Sequence, residues 1–466
     1  MKVGIIGGGP AGYAAAIRAA QLGAEVVVFE RDRPGGVCLN RGCVPTKNLL
    51  AWARAYREAR AEGFVSGPPP SIGPALEKAR AGAERFSHAV SKLLASYGID
   101  VIFGGAALVE PFVVEANGET RRFDRVIIAT GSKPSLPPLF AEVRALTGED
   151  FSLIPEEPGS VVIVGGGVQG VEYASFFAML GYPATLVEME EHILPFLPSG
   201  VANAYAMRLK RRGVFIRSAT TVLSVRSQKG TYELVLADGS RIEAETLIVV
   251  TGRVPATSAV RIDGLLDDRG FVIVDDTLET PLKGHFAAGD CVRSFGLAYT
   301  AYAEGRIAAE NAVRASGAPE RRRFVVPQVV FGEPEIAWVG DIEGDGLREV
   351  KVPAGLSAKA SAEHEDDGFV SLFFREGSEG GAGDTIDGEG AGGRDRSHGS
   401  PSPGLAGGVI VGGPAGELIH VISTLVAQAD EEALFIHPSF AELIGEGLDA
   451  ARGHPRHLQI RKGGRA

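Results

Sequence analysis

Cys38 and Cys43 stand five residues apart in Gly35-Gly36-Val37-Cys38-Leu39-Asn40-Arg41-Gly42-Cys43-Val44-Pro45-Thr46-Lys47. A pair this close can shuttle two electrons as dithiol and disulfide, supply half of a metal site, or pack as two structural thiols. Five residues of regular helix would advance about 7.5 Å, more than the Cα separation a disulfide tolerates. If the two sulfurs bond, the chain between them must bend, and Gly42 supplies the freedom. Pro45 suits the first turn of a helix running on through Asn48 and Leu49, which places Cys43 near a helix N-terminus where a thiolate is stabilised. Zinc needs about four ligands. The one other cysteine, Cys291, is far off with no partner pattern; it reads as a small buried hydrophobe, and no metal is expected.

The elements that must position this pair are two copies of one nucleotide-binding pattern. Lys2 to Ile6 is a short apolar run, followed by Gly7-Gly8-Gly9-Pro10-Ala11-Gly12, an Ala-rich helical stretch to Leu22, and a β-branched run from Glu25 to Phe29 ending at Glu30. The order strand, glycine turn, helix, strand, acid is that of a dinucleotide-binding unit. Gly7 permits the tight turn, Gly9 lets backbone approach a pyrophosphate at the helix N-terminus, Gly12 lets helix pack on strand, and Glu30 accepts from ribose hydroxyls. A lone glycine turn is weak evidence, but here the unit recurs. Val161 to Val164 leads into Gly165-Gly166-Gly167-Val168-Gln169-Gly170, a helix to Leu180, and a strand from Ala184 to Val187 ending at Glu188, with 23 residues from first glycine to acid in both copies. Two dinucleotides are therefore expected. Glu188 would repel a 2′-phosphate, which favours NAD over NADP at the second turn. Phe123 to Gly131 and Thr246 to Gly252 each read as a buried strand closing one unit at a glycine turn.

The rest of the sequence bounds the class. At 466 residues the chain is two to four domains long. Its hydrophobic fraction of 45% and charged fraction of 23% are those of a globular protein rather than a fibrous or disordered one. A net charge of −11 without a basic face argues against nucleic-acid binding, and the run Arg321, Arg322, Arg323 reads as a solvated linker. The N-terminus opens on a strand rather than a signal peptide, and no apolar run is long enough to cross a membrane, so the expected address is the cytoplasm.

With the cysteine segment, the two turns and the C-terminal region in view, the chain resembles the pyridine nucleotide-disulfide oxidoreductases across nearly all of residues 1–460. The resemblance implies an α/β protein with two Rossmann-like dinucleotide-binding domains, for FAD and NAD, and a C-terminal α+β dimerisation domain. The implied division is 1–150 and 261–325 for FAD, 151–260 for NAD, and 326–466 for dimerisation. Cys38 then matches the interchange thiol that meets substrate, and Cys43 the thiol beside the flavin that gives the charge-transfer complex. Lys47 and Glu172 match an ion pair near the flavin, Thr130 and Gly131 close the flavin unit, and Gly252 and Arg253 close the nicotinamide unit. Gly289 and Asp290, in His285 to Asp290, resemble the second flavin motif, with Ala298 opening the helix that follows. His437 and Glu442 resemble the family's acid/base dyad, in which the carboxylate orients an imidazole that takes a proton from the attacking thiol. The dyad implies a homodimer, because it reaches the disulfide of the other subunit. Dihydrolipoamide and NAD are the implied substrates, the dithiol borne by a lipoyl carrier of a 2-oxo acid dehydrogenase or glycine-cleavage system. Disulfides of glutathione type and mercuric ion are the alternatives. A flavin-binding scaffold without turnover would not need Cys38, Cys43, Lys47, His437 and Glu442 together.

Three features depart from the family pattern. Phe435 stands where many relatives carry a second His, and Gln169 replaces an aliphatic residue inside the second glycine turn. Residues 377–404 contain ten glycines and almost no large apolar side chain. Such a stretch cannot bury enough surface to offset its ordering entropy, so a disordered loop is expected between strands at Gly368 to Phe374 and Gly408 to Gly412.

Overall fold

The structure, a computed structural model, describes residues 1–314, 318–354, 367–375, 405–427 and 432–433. Contacts divide the chain into two units, one holding residues 1–322 and the other residues 323–441.

In the first unit the chain runs β1 (Lys2–Ile6), α1 (Pro10–Gln21), β2 (Glu25–Glu30), α2 (Gly36–Asn40), α3 (Cys43–Ala61), α4 (Gly73–Ser96), β3 (Asp100–Phe103), β4 (Ala106–Glu110), β5 (Val113–Ala116), β6 (Glu119–Arg122) and β7 (Arg125–Ile128). It continues through β8 (Ser132–Pro134), α5 (Pro138–Ala141), β9 (Leu146–Thr147), β10 (Val161–Val164), α6 (Val168–Leu180), β11 (Ala184–Val187), α7 (Ser199–Arg211), β12 (Val214–Arg217), β13 (Val222–Gln228), β14 (Thr231–Leu236), β15 (Arg241–Ala244) and β16 (Thr246–Val249). The last elements are β17 (Arg253–Pro255), β18 (His285–Ala287) and α8 (Ala298–Val313).

These elements build the same sheet twice. One sheet has the order β18-β7-β1-β2-β3 and the other β9-β16-β10-β11-β12, and every pairing in both is parallel. The central strands are buried along their length, as strands covered on both faces must be, and this explains their uninterrupted Val and Ile runs. Each of the two nucleotide-binding halves of this unit also carries a three-stranded antiparallel meander, β4-β5-β6 or β13-β14-β15, inserted just before its closing strand. Leu108 and Val114 of the first meander pack with Val27, Phe29 and Ile128, while Leu234 and Leu236 of the second pack with Val162, Val187 and Val249. The duplication read from the two glycine turns thus extends to the whole of each nucleotide-binding half.

Small residues let α1 and α8 pack tightly. Eight of the twelve α1 residues are buried, including Ala14, Ala15, Ala16 and Ala19. A Cβ added to Gly305 on α8 would lie 2.2 Å from the Ala11 carbonyl oxygen, so backbone meets backbone there. The rings of Tyr13 and Tyr302 are 5.5 Å apart, and Arg18 donates through Nε to Glu310 at 2.8 Å.

The second unit contains β19 (Phe324–Val325), β20 (Gln328–Val330), β21 (Ile336–Gly340), β22 (Leu347–Pro353), β23 (Phe369–Arg375), β24 (Leu405–Val411), α9 (Ala415–Val426) and β25 (Glu432–Ala433). Its main sheet is antiparallel, in the order β20-β21-β24-β23-β22, and α9 packs on β21 and β24. This is the α+β character expected of the C-terminal region. The two strands expected to bracket the glycine-rich stretch are β23 and β24, neighbours in the sheet; residues 377–404 themselves lie outside the described residues.

Replacing Gly305 with Ala forces a methyl group against backbone that cannot swing away. The substitution is expected to cost roughly 1–3 kcal/mol. Thermal unfolding of Gly305→Ala should therefore show a lower Tm than the parent.

Candidate functional site

The cysteine segment is bent, as a bond between its sulfurs requires. Helix α2 ends at Asn40, and the N–H groups of Arg41 and Gly42 both donate to the Val37 carbonyl, at 2.8 and 2.7 Å. The chain turns back over α2, and Cys43 opens α3. Cys38 is buried, Cys43 half-buried, and the two lie near disulfide distance. Gly42 has φ −116° and ψ −106°, outside both the helical and the extended regions, so the position uses the freedom expected of it. A second constraint there is close approach: a Cβ at Gly42 would lie 3.2 Å from the Val37 oxygen and 3.7 Å from the Cys38 Cα. Cys43 does occupy a helix N-terminus, with Pro45 in the first turn, where an N–H is not required.

Both glycine turns follow one design. Gly7 has φ +105° and Gly165 φ +112°, and a Cβ at either would strike the carbonyl of Ala129 or Val250, at 2.2 and 2.5 Å. Added at Gly12 or Gly170, a Cβ would lie 1.8 Å from the oxygen of Gly7 or Gly165. The middle glycines behave differently. Nothing lies within 4 Å of a Cβ at Gly167, and at Gly9 only the Gly36 Cα does, at 3.7 Å. Gly9 and Gly167 are also the N-caps of α1 and α6, and neither helix has a side-chain cap. Uncapped N–H groups facing open space form a cradle for an anionic pyrophosphate, so the residues fit two dinucleotides.

The acids at the ends of the second strands are likewise equivalent. Glu30 accepts the Gly8 and Asp32 N–H groups, each at 2.8 Å; Glu188 accepts those of Gly166 and Glu190, at 2.5 and 2.8 Å. Each carboxylate oxygen retains a lone pair for a ribose hydroxyl. Burial raises the Glu30 carboxyl above its ordinary value, against the lowering effect of the Gly8 N–H.

Lys47, one turn beyond Cys43, donates to both oxygens of Glu172 on α6 at 2.8 Å. The glutamate is almost entirely buried. Burial pulls the Lys47 ammonium down, but the Glu172 carboxylate and then Cys43 and Cys38 outweigh it, so its pKa lies above the ordinary lysine value. Next to the closing strand of the first unit, beyond Thr130 and Gly131, Ser132 donates to Asp290 at 2.7 Å. Arg253 donates to the Ser132 hydroxyl at 2.7 Å and to Glu149 at 2.7 Å. The three candidate segments ending in Gly131, Arg253 and Asp290 therefore meet. Gly289 donates to the buried Glu304 at 2.8 Å, and Ala298 is the first residue of α8.

The profile of the pyridine nucleotide-disulphide oxidoreductases matches residues 1–305. The chain belongs to this family. It is 30% identical to the dihydrolipoyl dehydrogenase of Vibrio cholerae over 487 residues, covering 97% of this chain and 96% of that protein. The dihydrolipoyl dehydrogenase of Bacillus subtilis is also 30% identical, over 97% of both chains. Among solved structures, LpdA from Mycobacterium tuberculosis superposes with a TM-score of 0.78 at 27% identity, covering 97% of this chain and 99% of that one. Family membership makes the chain an oxidoreductase, as its motifs implied.

Several residues that meet the family's motifs were not singled out by sequence. Glu304 is a lone acid in an apolar stretch of α8, the signal that could have marked it. It accepts from Gly289, Ser294 and Arg322, and burial raises its carboxyl. Arg322 is accordingly no solvated linker: it is mostly buried and pairs with Glu304 at 3.5 Å. Tyr299 is buried at the start of α8, and burial followed by the charge of Cys43 raises its phenol. Cys291 is fully buried as expected, which pushes its thiol up to about 11. His437, Glu442 and Phe435 lie outside the described residues. No helix among the described residues is long and apolar enough to cross a membrane.

Glu172→Gln leaves the Lys47 ammonium buried without its counter-charge and is expected to cost roughly 3 kcal/mol at neutral pH. Because the folded Lys47 value is raised, its contribution is complete below the ordinary value of 10.5 and fades as pH rises through the folded value. Urea unfolding from pH 7 to 11.5 should show parent and variant converging only at the alkaline end.

Proposed function

We propose that the chain is a dihydrolipoyl dehydrogenase working with FAD at the first glycine turn and NAD at the second. The carrying observation is the pair of Cys38 on α2 and Cys43 at the start of α3, with Lys47 of α3 bound to Glu172 on the helix of the second turn. Dihydrolipoyl dehydrogenases use FAD and NAD, and relatives bearing that name match along the whole chain. FAD would be held by Gly7, Gly9, Pro10, Ala11, Gly12, Glu30, Lys47, Thr130, Gly131, Gly289, Asp290 and Ala298. Gly165, Gly167, Gly170, Glu188, Gly252 and Arg253 would hold NAD, with Glu188 set against a 2′-phosphate.

In this reading His437, oriented by Glu442 and supplied by the partner in a homodimer, takes a proton from the incoming dithiol. The resulting thiolate attacks Cys38, the Cys38–Cys43 bond breaks, and the electron pair rests on Cys43. The second substrate sulfur then displaces Cys38 and leaves as the substrate disulfide, so two electrons have passed from dithiol to protein. When bound, FAD supplies the acceptor that passes this pair to NAD as hydride. Lys47 holds positive charge beside the sulfurs and would help to hold the flavin. The dithiol is that of a lipoyl-bearing carrier in a 2-oxo acid dehydrogenase or glycine-cleavage system, and the location is the cytoplasm.

The purified protein should be yellow and reduce NAD with dihydrolipoamide. Faster turnover of NADPH with glutathione disulfide would overturn the substrate assignment. Cys43→Ser should lose long-wavelength absorbance on two-electron reduction while keeping flavin, and a band that persists would refute the role of Cys43.

A further inference from the structure

Asp290 is held differently from the other acids of the nucleotide-binding halves. Glu30 and Glu188 each accept two backbone N–H groups, whereas Asp290 accepts through Oδ2 from one side-chain hydroxyl, that of Ser132 at 2.7 Å. Its other oxygen, Oδ1, accepts no hydrogen bond among the described residues. The residue stands beside the first cradle. Strands β7 and β18 pair in register up to Ile128 and Ala287, and a Cβ added to Gly289 would lie 3.0 Å from that of Ala11 in the glycine turn. This is the carboxyl end of a parallel sheet, where open α/β sheets take their ligands.

Ser132 is in turn fixed from the second half. Strands β8 and β17 pair antiparallel, with Ser132 opposite Pro255 and Pro134 opposite Arg253. The Ser135 N–H donates to the Gly252 carbonyl and the Ala256 N–H to that of Gly131, both at 2.9 Å. Across this ribbon Arg253 donates through Nε to the Ser132 Oγ at 2.7 Å and through Nη2 to the Ser132 carbonyl at 3.0 Å. Nη2 also donates to Glu149 at 2.7 Å, a carboxylate with only 12% of its side chain exposed. An arginine can only donate, and a serine hydroxyl has a single proton. Because Oγ accepts from Arg253, that proton goes to Asp290, so a residue of the nicotinamide half sets the direction of the Ser132–Asp290 bond.

We propose that Ser132 is a positioning residue for Asp290, and that the chain Glu149, Arg253, Ser132, Asp290 ties the grip on FAD to the nicotinamide half. This rests on the FAD site proposed above. Ser132 is buried. Without its hydroxyl the Asp290 carboxylate loses its one side-chain tether and must be ordered when the cofactor binds, which lowers affinity.

The test is the FAD dissociation constant of the full-length protein, stripped of flavin and titrated with FAD in the absence of nicotinamide. Ser132→Ala should raise it about tenfold, the size of effect expected for a hydrogen bond to a charged group. Arg253→Gln should raise it too, although no nicotinamide is present. In an Asp290→Ala background, Ser132→Ala should have no further effect. Thr251→Val removes a different bond of the same ribbon, from Oγ1 to the Ser135 carbonyl at 3.0 Å, and should leave the constant unchanged. An unchanged constant in Ser132→Ala, the same loss with Asp290 absent, or an equal loss in Thr251→Val would overturn the proposal. Should Ser132→Ala fail to fold, an unchanged constant in Arg253→Gln overturns it equally. A parent that takes up no FAD refutes the proposed function and this inference with it, whereas FAD binding that ignores the Ser132 hydroxyl refutes this inference alone.

Discussion

The contact on which the arrangement turns is the ion pair between Lys47 and Glu172. Lys47 stands one turn beyond Cys43 on α3, and Glu172 sits in the first turns of α6, immediately after the second glycine turn. One charge-assisted pair therefore fixes the helix that Cys43 opens against the helix that opens the second nucleotide cradle. Neither charge is tolerable there alone, because burial would penalise each by several kcal/mol. The pair specifies the register between the two helices.

Around that contact the chain repeats itself. Two parallel sheets of matching order each have a glycine turn, an acid closing the second strand and an inserted meander, and the redox segment is inserted in the first, between β2 and β3. Repetition explains why the acids behave alike: Glu30 and Glu188 each accept one N–H from the glycine turn and one from the residue two positions beyond themselves. Preorganised donors and acceptors lose less freedom on binding.

Much of this was legible in the sequence, and the physical reason is locality. Glycine turns and buried strands write their requirements into neighbouring residues, so spacing identifies them, whereas the roles of Cys38 and Cys43 came with the family resemblance. The pairing of Lys47 with Glu172 needed the family resemblance, since 125 residues separate the two. Glu149, Ser132 and Glu304 left little trace because their partners come from distant segments, and a single acid or hydroxyl in a loop has no period. Arg322 was misread for the same reason: its carboxylate partner is a buried residue on a helix already passed. For Gly42 the reason was legible too, because its backbone angles lie outside the helical and extended regions, and α2 adds a close approach.

The contrast within each glycine turn separates two properties usually treated as one. The outer glycines are wedged against backbone and the fold cannot dispense with them, whereas the middle ones, Gly9 and Gly167, meet almost nothing. Natural variation can therefore place alanine at a middle position without disturbing architecture, solubility or abundance. Such descendants would persist as well-folded proteins with an occluded cradle, outwardly indistinguishable from working enzymes, and they are a ready source of catalytically silent paralogues.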